Sequence, residues 1–202
     1  MDATSSIAKP RNLKTSFVKQ GEKHLKTVGV SEFSLREVAK SLEVSHMAAY
    51  KHFSNKNELL CEIGALGFSR LIKKFDVILE KEDAVFQRLD QIFHVFLDLA
   101  IDSPDLCHLM LGGEIDSQSM SKPFLKKIES CKAVFEEVLS HAQENGEVRP
   151  VKIATLQLSI WSTITGFIMS ILNGTYPGEM TKEALEASVE DLLGMWLIGA
   201  AE

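Results

Sequence analysis

Almost every segment of this 202-residue chain carries apolar residues at intervals of three and four, and none sustains the two-residue alternation of a half-buried strand. Stripes of that kind are buried against other helices, so the pattern predicts an all-α protein. About nine helices are expected, over about 11–28, 35–42, 46–53, 56–80, 84–102, 104–111, 121–145, 151–173 and 181–199. The punctuation agrees. Gly29 follows the first helix, Pro104 opens the sixth, Asn145-Gly146 closes the seventh and Pro150 precedes the eighth. Asn173-Gly174 and Pro177-Gly178 bracket a loop before the last. The expected architecture is a short N-terminal three-helix unit, residues 1–56, on a C-terminal helical bundle, residues 57–202, with helix 56–80 bridging the two.

Within the N-terminal unit, Ser34 and Glu37 have the spacing of a capping box, in which each side chain satisfies the other's backbone N–H. Leu35, Val38, Ala39 and Leu42 then fall on one face of a two-turn helix. Glu43-Val44 make a tight turn, Ser45 caps the helix from His46 to Phe53, and Ala49 and Phe53 face inward. Leu13, Phe17, Gly21, Leu25 and Val28 of the first helix close the core. Two short helices joined this way form a helix-turn-helix, whose second helix enters the major groove of double-stranded DNA. Ser34, Ser45, Tyr50, Lys51, His52 and Lys56 are donors suited to phosphate oxygens. His46, Met47 and Ala48 stand at the start of the second helix, where base edges are met. Charge points the same way. Residues 1–56 hold ten Lys/Arg against five Asp/Glu, a net of +5, and residues 57–202 hold twelve against twenty-three, a net of −11. A basic head on an acidic body is expected when only the head approaches a polyanion.

Residues 44–60 read V-S-H-M-A-A-Y-K-H-F-S-N-K-N-E-L-L. This string resembles the TetR family of transcriptional regulators, whose usual pattern is G-V-S-x-x-x-x-Y-x-H-F-x-x-K-x-x-L. Val44, Ser45, Tyr50, His52, Phe53, Lys56 and Leu59 match it, and Gly29 and the S-L-R-E-V-A run match upstream. The resemblance covers about residues 12–62. It implies that Tyr50 and Lys56 contact phosphate, that Ser45 caps and touches the DNA backbone, and that His46 to Ala48 face bases. Glu43 departs from the pattern, because it stands where the family has Gly. If that turn needs a left-handed backbone, Glu costs about 1 kcal/mol relative to Gly. It also sets a carboxylate near the DNA. Farther on, Trp161-Ser-Thr-Ile-Thr165-Gly166 is similar to the Trp-x-x-x-His-Gly motif of one subgroup, with Thr165 in place of His.

Helix 151–173 is apolar nearly all round from Leu158, and helix 181–199 becomes so from Leu192 through Trp196 to Ile198. Both must be covered on more than one side. The resemblance implies that they pair with their symmetry mates in a homodimer, whose two-fold axis suits a palindromic operator. Phe93, Met110, Phe135, Trp161 and Thr165 are the expected lining of a cavity for a small apolar or amphipathic effector. The expected function is a dimeric repressor released by that effector. A regulator without an inducer, constitutive or answering a protein partner, stays as the alternative. No G-x-S-x-G, Walker or Rossmann string supports an enzyme, and no cofactor is expected. His94, Cys107 and His108 lack metal-ligand spacing. Cys61, Cys107 and Cys131 are odd in number and scattered, which fits a reducing cytosol, and no signal-peptide pattern opens the chain, so a cytoplasmic protein is expected. The apolar run Ile160–Leu172, broken by four hydroxyl residues, falls short of the roughly 20 residues a bilayer needs, so no membrane is expected as partner.

Overall fold

The apolar stripes become nine α-helices in a computed structural model that describes residues 12–81 and 84–201. They are α1 (Leu13–Val28), α2 (Leu35–Ser41), α3 (His46–Tyr50), α4 (Lys56–Leu79), α5 (Val85–Asp102), α6 (Pro104–Leu111), α7 (Lys122–Glu144), α8 (Ile153–Leu172) and α9 (Lys182–Ala201). Among the described residues there is no strand, and the all-α expectation holds. One short 3₁₀ turn at Ser117–Ser119, between α6 and α7, had no periodic signal to announce it.

Side-chain caps set the helix starts. Asn12 accepts from the Thr15 N–H at 3.2 Å, Asn55 from Glu58 at 3.0 Å and Ser121 from Phe124 at 3.3 Å. At the far ends, Gly146 and Gly174 take φ of +73° and +67° and close Schellman turns. The N–H of Glu147 returns to the Ala142 carbonyl, and that of Thr175 to Ser170, each at 2.8 Å. The capping box expected at α2 forms only by half. Ser34 accepts the Glu37 N–H at 3.5 Å, but the Glu37 carboxylate turns to Lys40 at 3.5 Å.

Phe17, Leu25, Phe33, Leu35, Val38, Ala39, Ala49 and Phe53 are buried together in the N-terminal unit. Of the first helix's expected core residues, Leu13 and Val28 are only half-buried. Gly21 lets α1 lie directly on α4, since a Cβ there would stand 2.9 Å from Ile63 Cδ1. Polar contacts follow the same seam, Lys14 pairing with Glu62 at 2.6 Å and Arg70 bidentately with Glu22, while Lys26 ties α1 to the end of α5 by donating to the Asp102 carbonyl at 3.2 Å.

α4 then continues into the body, where it packs most extensively on α7. Gly64 and Gly67 on its inner face admit the Phe124 ring and the Met110 sulfur. α8 buries Leu156, Ile160, Ile164, Phe167, Ile168 and Ile171 as one stripe. It starts at Ile153 and reaches 20 residues of mean hydropathy 1.4, so by length and composition alone it is long enough to cross a membrane. That corrects the expectation drawn from the shorter run beginning at Ile160. Only 33% of its apolar window is covered within the chain.

Candidate nucleic-acid interface

α2 stops at Leu42, and Glu43 reverses the chain with φ +55°, the sole positive φ of a non-glycine residue among those described. The turn is a Schellman closure in which Glu43 N–H reaches Lys40 O at 3.0 Å and Val44 N–H reaches Ala39 O at 3.1 Å. Its left-handed corner is the position that favours glycine. Val44 then packs against the core, and Ser45 caps α3 by accepting the Ala48 N–H at 3.2 Å.

α3 has five residues, shorter than the expected 46–53. Ala49 is fully buried, and Phe53 tucks under it with its N–H bonded to Ala49 O at 3.0 Å. The need to bury Phe53 turns the chain after Tyr50. What stays outside is informative. Met47 is 69% exposed, an apolar thioether held in water at the first turn of a short helix. His46 and Lys51 are exposed, and the Tyr50 ring meets the His46 ring edge-on at 4.7 Å. Lys56 is exposed at the first position of α4. Ser34 and Ala48 are half-buried. His52 does not stand free on the surface as expected, because its half-buried ring lies 6.2 Å from that of Phe17, against the core. Arg36 was missed. It is exposed in the first turn of α2, beside Ser34, and no carboxylate pairs with it among the described residues. The signal was there in the basic excess of the head and in the S-L-R-E run.

A sequence profile described as bacterial regulatory proteins of the tetR family matches residues 18–63, from α1 into the start of α4. Over this head the chain is similar to the TetR family. Nucleoid occlusion factor SlmA of Marinobacter nauticus is 26% identical over 117 residues, 55% of this chain and 56% of that protein. The chain thus spans little more than half the length of the curated relative it matches. Among solved structures, a protein of unknown function from Rhodococcus sp. RHA1 superposes with a TM-score of 0.82 at 21% identity, over 98% of this chain and 100% of that one. The regulator FadR from Bacillus subtilis, solved with stearoyl-CoA, gives 0.76 at 14% identity over 92% and 98%. Both likenesses speak for a shared fold.

In the body of the chain, the expected effector residues do not gather around one opening. Phe135 and Phe96 present their faces edge-on to Trp161 at 5.8 and 6.0 Å, while Phe93 packs on Phe167 at 5.5 Å. The Thr165 hydroxyl is engaged by the Trp161 carbonyl at 2.7 Å, and Met110 lies buried against Gly67 on α4. Clefts open elsewhere: one of about 600 Å³ between α4 and α5, and one of about 660 Å³ between α8, α9 and their connecting loop. None of the five lines either cleft. No cluster of three His, Cys, Asp or Glu is arranged for a metal among the described residues. Burial pushes the Cys107 and Cys131 thiols up to about 12.

Proposed function

We propose that this protein is a DNA-binding transcriptional regulator and not an enzyme: a dimeric, cytoplasmic repressor that leaves a palindromic operator when a small apolar or amphipathic effector binds. The observation that carries the reading is the head of α3, where His46 and the 69%-exposed Met47 stand out from a capped five-residue helix. A polar ring and a thioether side by side suit the mixed polar and methyl edges of the major groove. In this reading residues 1–56 hold the DNA, through Ser34, Ser45, Tyr50, Lys51, His52 and Lys56 on phosphates and His46, Met47 and Ala48 on bases. Arg36 joins the phosphate set.

Residues 57–202 dimerise and sense. Leu158, Met195 and Ile198 are 64–72% exposed on α8 and α9, an apolar face that a second copy would cover. The stearoyl-CoA held by FadR supports an effector of that kind. An effector reaching Phe93, Met110, Phe135, Trp161 and Thr165 must open their packed contacts. That closed packing favours a second reading, a regulator without an inducer that acts constitutively or through a protein partner.

Selection from random duplex DNA tests the first claim. It should return palindromes with half-site centres about 34–36 Å apart. A pool of asymmetric sites only, or of none, overturns it.

A further inference from the structure

The cleft between α4 and α5 is not explained by the DNA-reading head or by the exposed face of α8 and α9. It is lined by Lys73, Lys74, Val77 and Ile78 of α4 and by Asp90, Gln91, His94 and Val95 of α5, and no residue of α8 or α9 contributes. Dimerisation through those helices leaves it open. Its floor is apolar: Ile78 is buried, Val95 is half-buried against the core, and Val77 is 57% exposed. Across the seam beneath, Phe75 of α4 touches Phe96 of α5 at 5.6 Å, so the cleft lies on the outer side of the contact that closes the aromatic cluster.

The charges are unequal. Asp90 lies against His94, and its buried Oδ1 takes no hydrogen bond among the described residues. His94 Nδ1 donates to the Asp90 carbonyl at 2.9 Å and lies 3.4 Å from its Oδ1. Lys73 and Lys74 are exposed, and neither has a carboxylate partner among the described residues. Two uncompensated ammonium groups at the mouth of an apolar trough stand out on a body whose net charge is −11. A trough of a few hundred Å³ is ample for a single-chain ligand.

We propose that the α4–α5 cleft binds a single-chain amphiphile with an anionic head, its tail on Val77, Ile78 and Val95 and its head between Lys73 and Lys74. The regulatory consequence rests on the effector reading above. Insertion along this seam would part α4 from α5 and loosen the Phe75–Phe96 contact. The head can be the free carboxylate or the phosphates of a thioester, so the test carries both, laurate and lauroyl-CoA, with dodecyltrimethylammonium as the charge-reversed control.

Equilibrium dialysis against the full-length protein should show binding of at least one anion. The Lys73→Glu/Lys74→Glu double variant should weaken it at least tenfold, and Val77→Asp, a surface change that leaves the core intact, should weaken it similarly. The cation should bind at least tenfold more weakly than the anion to the unaltered protein and gain on the double variant. Laurate without lauroyl-CoA identifies a free acid, and the reverse a thioester. Equal binding of anion and cation, indifference to both variants, or no binding overturns the proposal. Operator release is read separately. An anion that binds the cleft but leaves the DNA bound removes the effector reading and keeps the site. Release that ignores both variants does the opposite.

Discussion

Glu43 holds a backbone conformation that its Cβ opposes, at the one corner where α2 must hand the chain to α3. Glycine there relieves about 1 kcal/mol of strain, and in a chain of this size that raises the melting temperature by about 2–4 °C. The carboxylate is a separate matter, because it repels phosphate whatever the backbone does. Glu43→Gly should therefore melt higher and bind the operator more tightly, whereas Glu43→Gln should bind more tightly with an unchanged melting temperature. Thermal denaturation beside gel-shift titration separates the two effects. Lys56 and His46 differ in another way, one an exposed cation at a helix start and the other an exposed ring at the turn proposed to face the groove. Lys56→Ala should weaken binding to every sequence and flatten the log–log salt slope by about one unit. His46→Ala should change which bases are preferred. A reversal of those outcomes in a specificity selection would exchange their roles.

The helices themselves carry their boundaries locally. Periodicity, Pro104, Asn145-Gly146 and Asn173-Gly174 act within a turn or two of the residues they punctuate, so eight of the nine helices end within about two residues of where the pattern places them. α3 escaped because its end is set by Phe53 seeking the core, and His52 because its partner, Phe17, lies 35 positions away. The same limit hid the closed aromatic cluster. Large side chains announce an apolar interior, but only packing decides whether space is left in it. Glycine positions on α4 show how tightly that interior is set. An added methyl at Gly64 meets the rigid Phe124 ring at 2.6 Å, and one at Gly67 meets the flexible Met110 at 2.4 Å. Alanine returns about 1 kcal/mol of helix propensity in both cases, and overpacking typically costs about 1–3 kcal/mol. Gly64→Ala should destabilise by about 1–2 kcal/mol, and Gly67→Ala should be near neutral because Met110 can swing aside. Urea midpoints compare them directly, and equal losses would show that Met110 is as constrained as Phe124.

At the scale of the whole molecule, the uncovered apolar face is the feature with consequences. Met195→Asp and Ile198→Asp alter exposed side chains, so the fold should survive while the proposed dimer does not. Sedimentation should report a monomer, and operator affinity should fall by about 10²–10⁴-fold as the gain from two linked heads disappears. A variant that stays dimeric, or a monomer that binds as tightly, contradicts the proposed interface. Head and body are also one mechanical piece, since α4 runs unbroken from Lys56 beside the helix-turn-helix to Leu79 between α5 and α7. Twenty-four residues at about 1.5 Å each make a rod of about 36 Å, so a tilt of about 5° at the far end swings Lys56 through about 3 Å. Two such rods turning in opposite senses would change the separation of the heads by about 6 Å, against a half-site spacing of about 34–36 Å. A tilt too slight to unfold any helix becomes, at the end of the shaft, a displacement the length of a hydrogen bond, which in the proposed dimer would carry each head off its phosphates.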